Sequence, residues 1–174
     1  MGGFDKSRLR LPSMQTFADR QYRLLSSHCE DVWFLGDPTA SDPVHLEHRL
    51  SDLPGEYGPL AGIASGLRRV SDHLLVIPCD LPFLGHRVLA KLVETVGRVP
   101  IYAATANRMH PLVSIWHKSH LSEVVRGARE SRSVRSVISD LNGQAIVFED
   151  AHDFFNVNTP AELASAHAEW KKRY

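Results

Sequence analysis

The residue whose type and position most clearly suggest a chemical role is Asp80, which directly follows an apolar run. That run, His73 to Pro78, reads HLLVIP and is typical of a central parallel strand covered on both faces. Because an open α/β sheet binds ligands beyond the carboxyl ends of its strands, Asp80 is expected where a ligand would sit. A carboxylate there can hold Mg²⁺ against phosphate oxygens. A helix cap or turn residue before Pro82 explains its position equally well.

A second candidate binding element is the glycine-punctuated segment from Asp52 to Gly62, which reads DLPGEYGPLAG. Its backbone amides lie at the entry to a predicted helix and can grip a base edge or an anion. An ordinary loop that needs its glycines for positive φ angles gives the same pattern.

Polar groups also occur near both ends of the sequence. Asn156 and Asn158 flank Val157, so in an extended conformation both carboxamides face one side while Val157 faces the core. They suit ribose hydroxyls, phosphate or a metal-bound water, although asparagine before a helix is more often a turn residue.

Two further candidates are single residues. Lys6 can neutralise a phosphate, yet a lone lysine near a terminus is usually only solvated. His110 leads into a strand whose start is expected to face the cleft.

The elements that must position these residues follow from alternating apolar and amphipathic segments. The predicted strands cover residues 31–35, 73–78, 101–105, 111–116 and 144–149. The predicted helices cover residues 13–27, 59–69, 86–96, 119–127, 133–141 and 159–170. Thr159 and Glu162 form a capping box around Pro160, which fixes the start of the last helix. Strands interleaved with helices indicate an α/β layered fold.

Composition narrows the class of protein. The 174 residues include 20 basic and 20 acidic side chains, and 43% are hydrophobic, so we expect one globular domain over residues 1–174. The balanced charge gives no case for nucleic acid, and no apolar run is long enough for a membrane span. The first six residues lack the apolar stretch of a signal peptide. We therefore expect a cytoplasmic protein.

The cysteines and most histidines suggest no metal centre. Cys29 and Cys79 lack zinc-site spacing and are interpreted as buried thiols. Two helically spaced histidine pairs have no evident third ligand and are interpreted as surface residues: His45 with His48, and His117 with His120.

Five segments occur in an order found in one family: Met1 to Lys6, Gly58 to Gly62, Pro78 to Pro82, His110 with Pro111, and Asn156 to Pro160. Through them the chain resembles, almost from end to end, the molybdenum cofactor guanylyltransferase (MobA) family. The resemblance implies a Rossmann-like three-layer sandwich with a mostly parallel central sheet. It also implies transfer of GMP from Mg-GTP to molybdopterin, or to its molybdenum-loaded form, giving a guanine dinucleotide and pyrophosphate.

The resemblance also implies roles for individual residues. Asp80 would bind Mg²⁺ and orient the α-phosphate, and Lys6 would neutralise negative charge on the phosphates. These two are therefore the expected catalytic residues. The molybdopterin side would hold Asn156, Asn158 and His110. The GTP side would further include Asp52, Gly58, Pro59, Leu60 and Gly62. Transient partners would be molybdopterin-synthesis proteins or target-enzyme chaperones.

One departure from the family pattern lies at the start of the sequence. Family members place a strand and a Leu-Ala-Gly-Gly-x-x-x-Arg loop before the Met-Gly-Gly segment, whereas this sequence begins at that Met1. We therefore expect the first central strand to be missing, guanylyltransferase activity to be weak or absent, and an unpaired strand edge to favour a homodimer.

Two alternative functions stay open. A cytidylyltransferase of the same group would differ only in a few hydrogen bonds to the base. A non-catalytic module that binds molybdopterin would keep the asparagines while lacking the phosphate loop.

Overall fold

The computed structural model describes residues 9–35 and 49–173. Its strands are β1 (Phe34–Leu35), β2 (Arg49–Leu50), β3 (His73–Val76), β4 (Ile101–Thr105), β5 (Arg108–His117) and β6 (Gln144–Val147). Its α-helices are α1 (Phe17–Ser26), α2 (Gly58–Leu67), α3 (His86–Glu94), α4 (Leu121–Arg129), α5 (Val134–Asp140) and α6 (Pro160–Arg173). Two 3₁₀ helices cover Lys118–His120 and Ala151–Phe154.

Four of these strands form one sheet in the order β3-β5-β4-β6. Strand β5 is antiparallel to both β3 and β4, and β4 is parallel to β6, so three of the four strands point the same way. Strands β1 and β2 form a separate parallel pair. Our expectation of an α/β fold with a mostly parallel sheet is confirmed.

Helices cover both faces of the four-stranded sheet. Helices α2, α4 and α5 pack with Trp116 of β5 on one face. Helix α3 and Leu24 of α1 pack with Val113 and Ile115 of β5 on the other. Neighbouring residues of β5 therefore point into opposite hydrophobic layers, as the two-residue repeat of a strand requires. The three-layer sandwich predicted from the sequence is thus the observed architecture.

A groove of about 590 Å³ separates β1 from β3. Among the described residues, β3 pairs only with β5 and β1 only with β2, so the edges of both strands that face this groove have no strand partner. Unpaired edges expose backbone donors and acceptors to other chains.

Several predicted boundaries differ from the structure for local reasons. Helix α1 begins after Thr16, whose capping box with Asp19 replaces the predicted cap at Ser13. Strand β5 begins before Pro111 because the three residues from Arg108 to His110 pair with the end of β4, and the register shifts between Tyr102 and Ala103 next to this proline. Irregular pairing lets a strand accommodate a residue without an N–H group.

The interpretation of the cysteines and one histidine was wrong in detail. Cys29 and Cys79 are half-buried rather than buried, and desolvation raises the pKa of the Cys29 thiol. His120 is only 6% exposed, so it is a core residue rather than a surface one. Within residues 9–35 and 49–173, no helix has the length and apolarity needed to cross a membrane.

Candidate active site

Asp80 lies just beyond the end of β3, where the sequence places it. Leu74 and Val76 of β3 are buried, and the chain leaves the sheet through Ile77 and Pro78 to a half-buried Asp80. The backbone carbonyl of Asp80 accepts a hydrogen bond of 2.9 Å from the N–H of Val157. This bond joins the end of β3 to the asparagine segment, although the two are far apart in sequence.

The asparagine segment has the alternation expected from its sequence. Val157 is fully buried in an apolar cluster with Phe17 and Trp170. Asn156 is half-buried, and its side-chain Oδ1 is shielded from solvent without a hydrogen-bond partner. Since a buried carbonyl oxygen without a partner is costly, this atom is a candidate ligand contact. Asn158 is exposed.

The predicted capping box at the start of α6 is present. The N–H groups of Asn158 and Thr159 donate to Glu162 Oε2 at 2.7 and 2.9 Å, and the Glu162 N–H donates to Thr159 Oγ1 at 3.2 Å. These bonds hold the backbone that follows Val157. They therefore fix the position of the asparagine segment relative to Asp80.

His110 lies at the same end of the sheet because β5 runs against its neighbours. Ser114 pairs with Val76, the last residue of β3, and His110 comes four residues before Ser114 in β5. Its ring stacks on Phe154, with centroids 4.2 Å apart and planes 17° from parallel. Phe154 in turn lies two residues before Asn156.

The environment of His110 keeps its ring neutral. Desolvation, with a smaller contribution from the charge of Arg108, lowers the pKa of His110 to about 4. Its Nε2 atom is buried without a hydrogen-bond partner. A neutral imidazole can donate from one nitrogen and accept at the other, so His110 can form a hydrogen bond with an uncharged polar group of a ligand.

The glycine-containing loop before α2 is held by an ion pair whose glutamate is buried. Glu56 has a side chain only 1% exposed, and its two oxygens accept hydrogen bonds of 3.0 and 2.6 Å from Nη1 and Nη2 of Arg68. The N–H of Tyr57 donates to the carbonyl of Ala128 at 3.2 Å. Gly58 has a φ angle of 67°, which favours glycine, so the turn into α2 requires this residue.

The structure gives different environments to the predicted GTP-side residues. Pro59 is exposed, and Asp52 is half-buried. A Cβ atom on Gly62 would lie 3.9 Å from Asp52 Oδ1 and 3.1 Å from Leu35 Cβ, so Asp52 lies against the first turns of α2. The side chain of Leu60 is fully buried in the core. The 0% exposure of Leu60 includes its backbone.

The predicted site residues thus form two groups. Asp80, Asn156 and His110 are linked through Val157 and Phe154. A second group, Asp52 with Gly58 and Gly62, lies at the start of α2. Lys6 lies outside the described residues.

Three residues that position the site were missed from the sequence. Phe154 supports His110, and the pair Glu56–Arg68 holds the loop. The one available signal was a glutamate inside a glycine-rich segment, since a buried carboxylate requires a cationic partner. Nothing in the spacing identified Arg68 as that partner.

An α/β sandwich with carboxylate and amide groups beyond its strand ends belongs to the class of open-sheet folds that bind their ligands at that edge. Within that class, residues 1–145 match the model of the MobA-like NTP transferase domain, and the chain belongs to this family. The resemblance stated from sequence motifs is confirmed.

Individual relatives agree with this assignment. A molybdenum cofactor guanylyltransferase from Pseudomonas paraeruginosa is 38% identical over 96% of this chain and 88% of its own. One from Rhodopseudomonas palustris is 32% identical over 95% of this chain and 84% of its own. The crystal structure of molybdopterin-guanine dinucleotide biosynthesis protein A from Archaeoglobus fulgidus superposes with a TM-score of 0.70 and 21% identity, over 98% of this chain and 92% of that one, which shows the shared fold.

Proposed function

We propose that this protein transfers GMP from Mg-GTP to molybdopterin, or to its molybdenum-loaded form, in the cytoplasm. The observation that carries the proposal is similarity to guanylyltransferases along 95–96% of the chain. In the reaction, a phosphate oxygen of molybdopterin bonds to the α-phosphorus of GTP. The bond from that phosphorus to the bridging oxygen breaks, and pyrophosphate leaves with the electron pair.

The residues beyond β3 fit a magnesium ion. Magnesium prefers hard oxygen ligands and usually takes one or two from protein, keeping the rest for water and phosphate. The Asp80 carboxylate and the Asn156 Oδ1 atom, which has no hydrogen-bond partner, are donors of this kind. They would hold the ion, which when bound supplies positive charge next to the phosphate oxygens of GTP.

The remaining residues align the two substrates. The attacking phosphate is already ionised near neutral pH, so the reaction needs positioning and charge neutralisation rather than a general base. Neutral His110, backed by Phe154, offers a hydrogen bond on the molybdopterin side, where Asn158 also belongs. Lys6 is assigned to phosphate charge by the family resemblance.

The loop before α2 forms the nucleotide side in this proposal. Asp52 and the backbone of Gly58 and Pro59 would bind guanine and ribose. Leu60 and Gly62 are assigned to the same side by the family resemblance and are buried in this structure. The Glu56–Arg68 ion pair and the Tyr57–Ala128 hydrogen bond hold this backbone against α2 and α4. A preformed loop lowers the entropic cost of binding the nucleotide.

Asp80→Asn, made in a version of the protein that carries the upstream Leu-Ala-Gly-Gly-x-x-x-Arg segment of the family, tests the catalytic assignment. We expect a loss of about 10²–10³ in Mg-dependent pyrophosphate release, because a neutral amide binds Mg²⁺ poorly and an electrostatic contact of this kind is worth about that factor. The exposed Asp31→Asn variant is the matched control, and circular dichroism checks the fold. Near-normal turnover by Asp80→Asn would remove this residue from the mechanism.

Nucleotide choice separates the proposal from its alternatives. Turnover with GTP and CTP in one assay should show a clear preference for GTP, and a preference for CTP would make the protein a cytidylyltransferase. Calorimetric titration with Mg-GTP and with molybdopterin addresses the non-catalytic alternative. Binding of the pterin without binding of nucleotide would indicate a carrier rather than an enzyme.

A further inference from the structure

Three metal-ligating side chains meet at the end of the sheet away from Asp80. Asp72 and His73 lie at the start of β3, whereas Asp80 follows its end. His73 pairs directly with His117 of the antiparallel strand β5. The Lys118 N–H donates to the Asp72 carbonyl at 2.7 Å and extends this pairing. One ligand atom from each of Asp72, His73 and His117 lies within 4.8 Å of the others.

The Asp72 carboxylate faces both rings. Its Oδ2 lies 2.8 Å from His73 Nδ1, and its Oδ1 lies 3.2 Å from His117 Nε2. The opposite ring nitrogens contact protein. His73 Nε2 is 3.2 Å from the Gly97 carbonyl oxygen. His117 Nδ1 is 2.7 Å from Ser119 Oγ and accepts a hydrogen bond of 3.1 Å from the Ser119 N–H.

The contact with Gly97 determines what His73 presents to Asp72. A carbonyl oxygen only accepts, so His73 Nε2 carries the hydrogen, and the Nδ1 atom of a neutral ring carries a lone pair. That lone pair points at a carboxylate 2.8 Å away. Two acceptors that face each other require a positive charge between them, either a proton or a metal ion.

We propose that Asp72, His73 and His117 bind a divalent transition-metal ion of the Zn²⁺ type. Two imidazole nitrogens and one carboxylate oxygen are common zinc ligands, at distances of about 2.0–2.2 Å, with water in the fourth position. Asp72 is 69% exposed, so the site is open to solvent and to an exchangeable water. Magnesium disfavours nitrogen ligands, so this site and Asp80 would bind different metal ions.

The contact between His73 and Gly97 resembles the outer shell of a metal site. Histidine ligands are commonly oriented by a hydrogen bond from their other nitrogen to a carbonyl or a polar side chain. The Gly97 carbonyl occupies this position for His73. His117 Nδ1 instead accepts from the Ser119 N–H, so Nε2 carries the hydrogen of a neutral ring. Metal binding through His117 Nε2 therefore requires that hydrogen to move to Nδ1, where Ser119 Oγ can accept it. A bound ion would join the start of β3 to the end of β5, so binding should also raise the melting temperature.

The chain supplies a matched comparison in His28 and His86. These rings also approach closely, with Nε2 of His28 3.3 Å from Nδ1 of His86, but the described residues place no metal-ligating carboxylate with them. A His86→Ala variant therefore removes an exposed histidine while leaving the proposed site intact.

The test is calorimetric titration of the full chain with ZnCl₂, supported by the visible spectrum of the Co²⁺ form. We expect one Zn²⁺ per chain, affinity unchanged in His86→Ala, and affinity at least about 10–100-fold weaker in Asp72→Asn and His117→Ala, since even outer-shell losses have that size. The Co²⁺ bands should disappear in His117→Ala, while circular dichroism shows that Asp72→Asn remains folded. Absence of binding, or equal affinity in all four proteins, would overturn the proposal and leave a proton between the two acceptors.

Discussion

Replacing Arg68 by methionine should lower the free energy of unfolding by about 3 kcal/mol, since breaking a buried ion pair by removing one partner costs about 3–5 kcal/mol. The lower end applies because Arg68 is 29% exposed, so water reaches its side of the pair, whereas the Glu56 side chain is 1% exposed and stays buried. Methionine keeps much of the length of the arginine stem. The loss of stability therefore comes more from the buried Glu56 carboxylate, which has lost its Arg68 partner, than from lost packing.

A double-mutant cycle measures how much of this loss belongs to the pair. The variants are Arg68→Met, Glu56→Gln and the double substitution, each unfolded with urea at pH 7. We expect a coupling energy of about 1–3 kcal/mol, because the neutral glutamine no longer leaves a charge buried. The exposed neighbour Arg69→Met is the control, and its change should stay within about 0.5 kcal/mol.

The same variants test the role of the loop in nucleotide binding. If the ion pair holds the loop that carries Asp52 and Gly58, Arg68→Met should raise KM for GTP while Arg69→Met leaves it unchanged. Additive changes in the cycle, with coupling below about 0.5 kcal/mol, would refute the argument that the two charges depend on each other.

Three further predictions concern other parts of the molecule. Histidine in an unfolded chain titrates near 6.5, and the pKa of folded His110 is about 4, so the free energy of unfolding should fall by about 3 kcal/mol as pH drops from about 6.5 to about 4. The His110→Gln variant should lack this fall in urea titrations, and identical pH profiles would contradict the assignment. Glu162→Ala should lower the free energy of unfolding by about 1 kcal/mol, because it removes the capping box. In thermal unfolding, Glu162→Gln should keep most of that stability, and an equal loss in both variants would reject capping as the cause. The open edges of β1 and β3 should give a dimer in sedimentation velocity, and a strictly monomeric profile at high concentration would disprove it.

Features that depend on short stretches of sequence could be predicted. Strand β4 occupies the predicted residues 101–105, and the Thr159–Glu162 capping box fixes the start of α6 as expected. Asp80 could be placed beyond β3 because a continuous apolar run ends just before it. In these cases each interaction lies within a few residues, so the pattern contains the information.

Features that depend on register between distant segments could not be predicted. The pairing of His73 with His117 requires the antiparallel register of β3 and β5. The same holds for the Glu56–Arg68 contact and for the stacking of His110 on Phe154. No local periodicity encodes these contacts, because packing of the helices on the sheet brings the partners together.

Strand β5 has a consequence for how the sequence can vary. It runs from one rim of the sheet to the other, with His110 near its beginning and His117 at its end. Adding or deleting one residue between these histidines would turn one part of the strand over and exchange the side chains that face its two hydrophobic layers. Changes in chain length should therefore be tolerated in surface loops but not in this segment, where one insertion would disturb both rims at once.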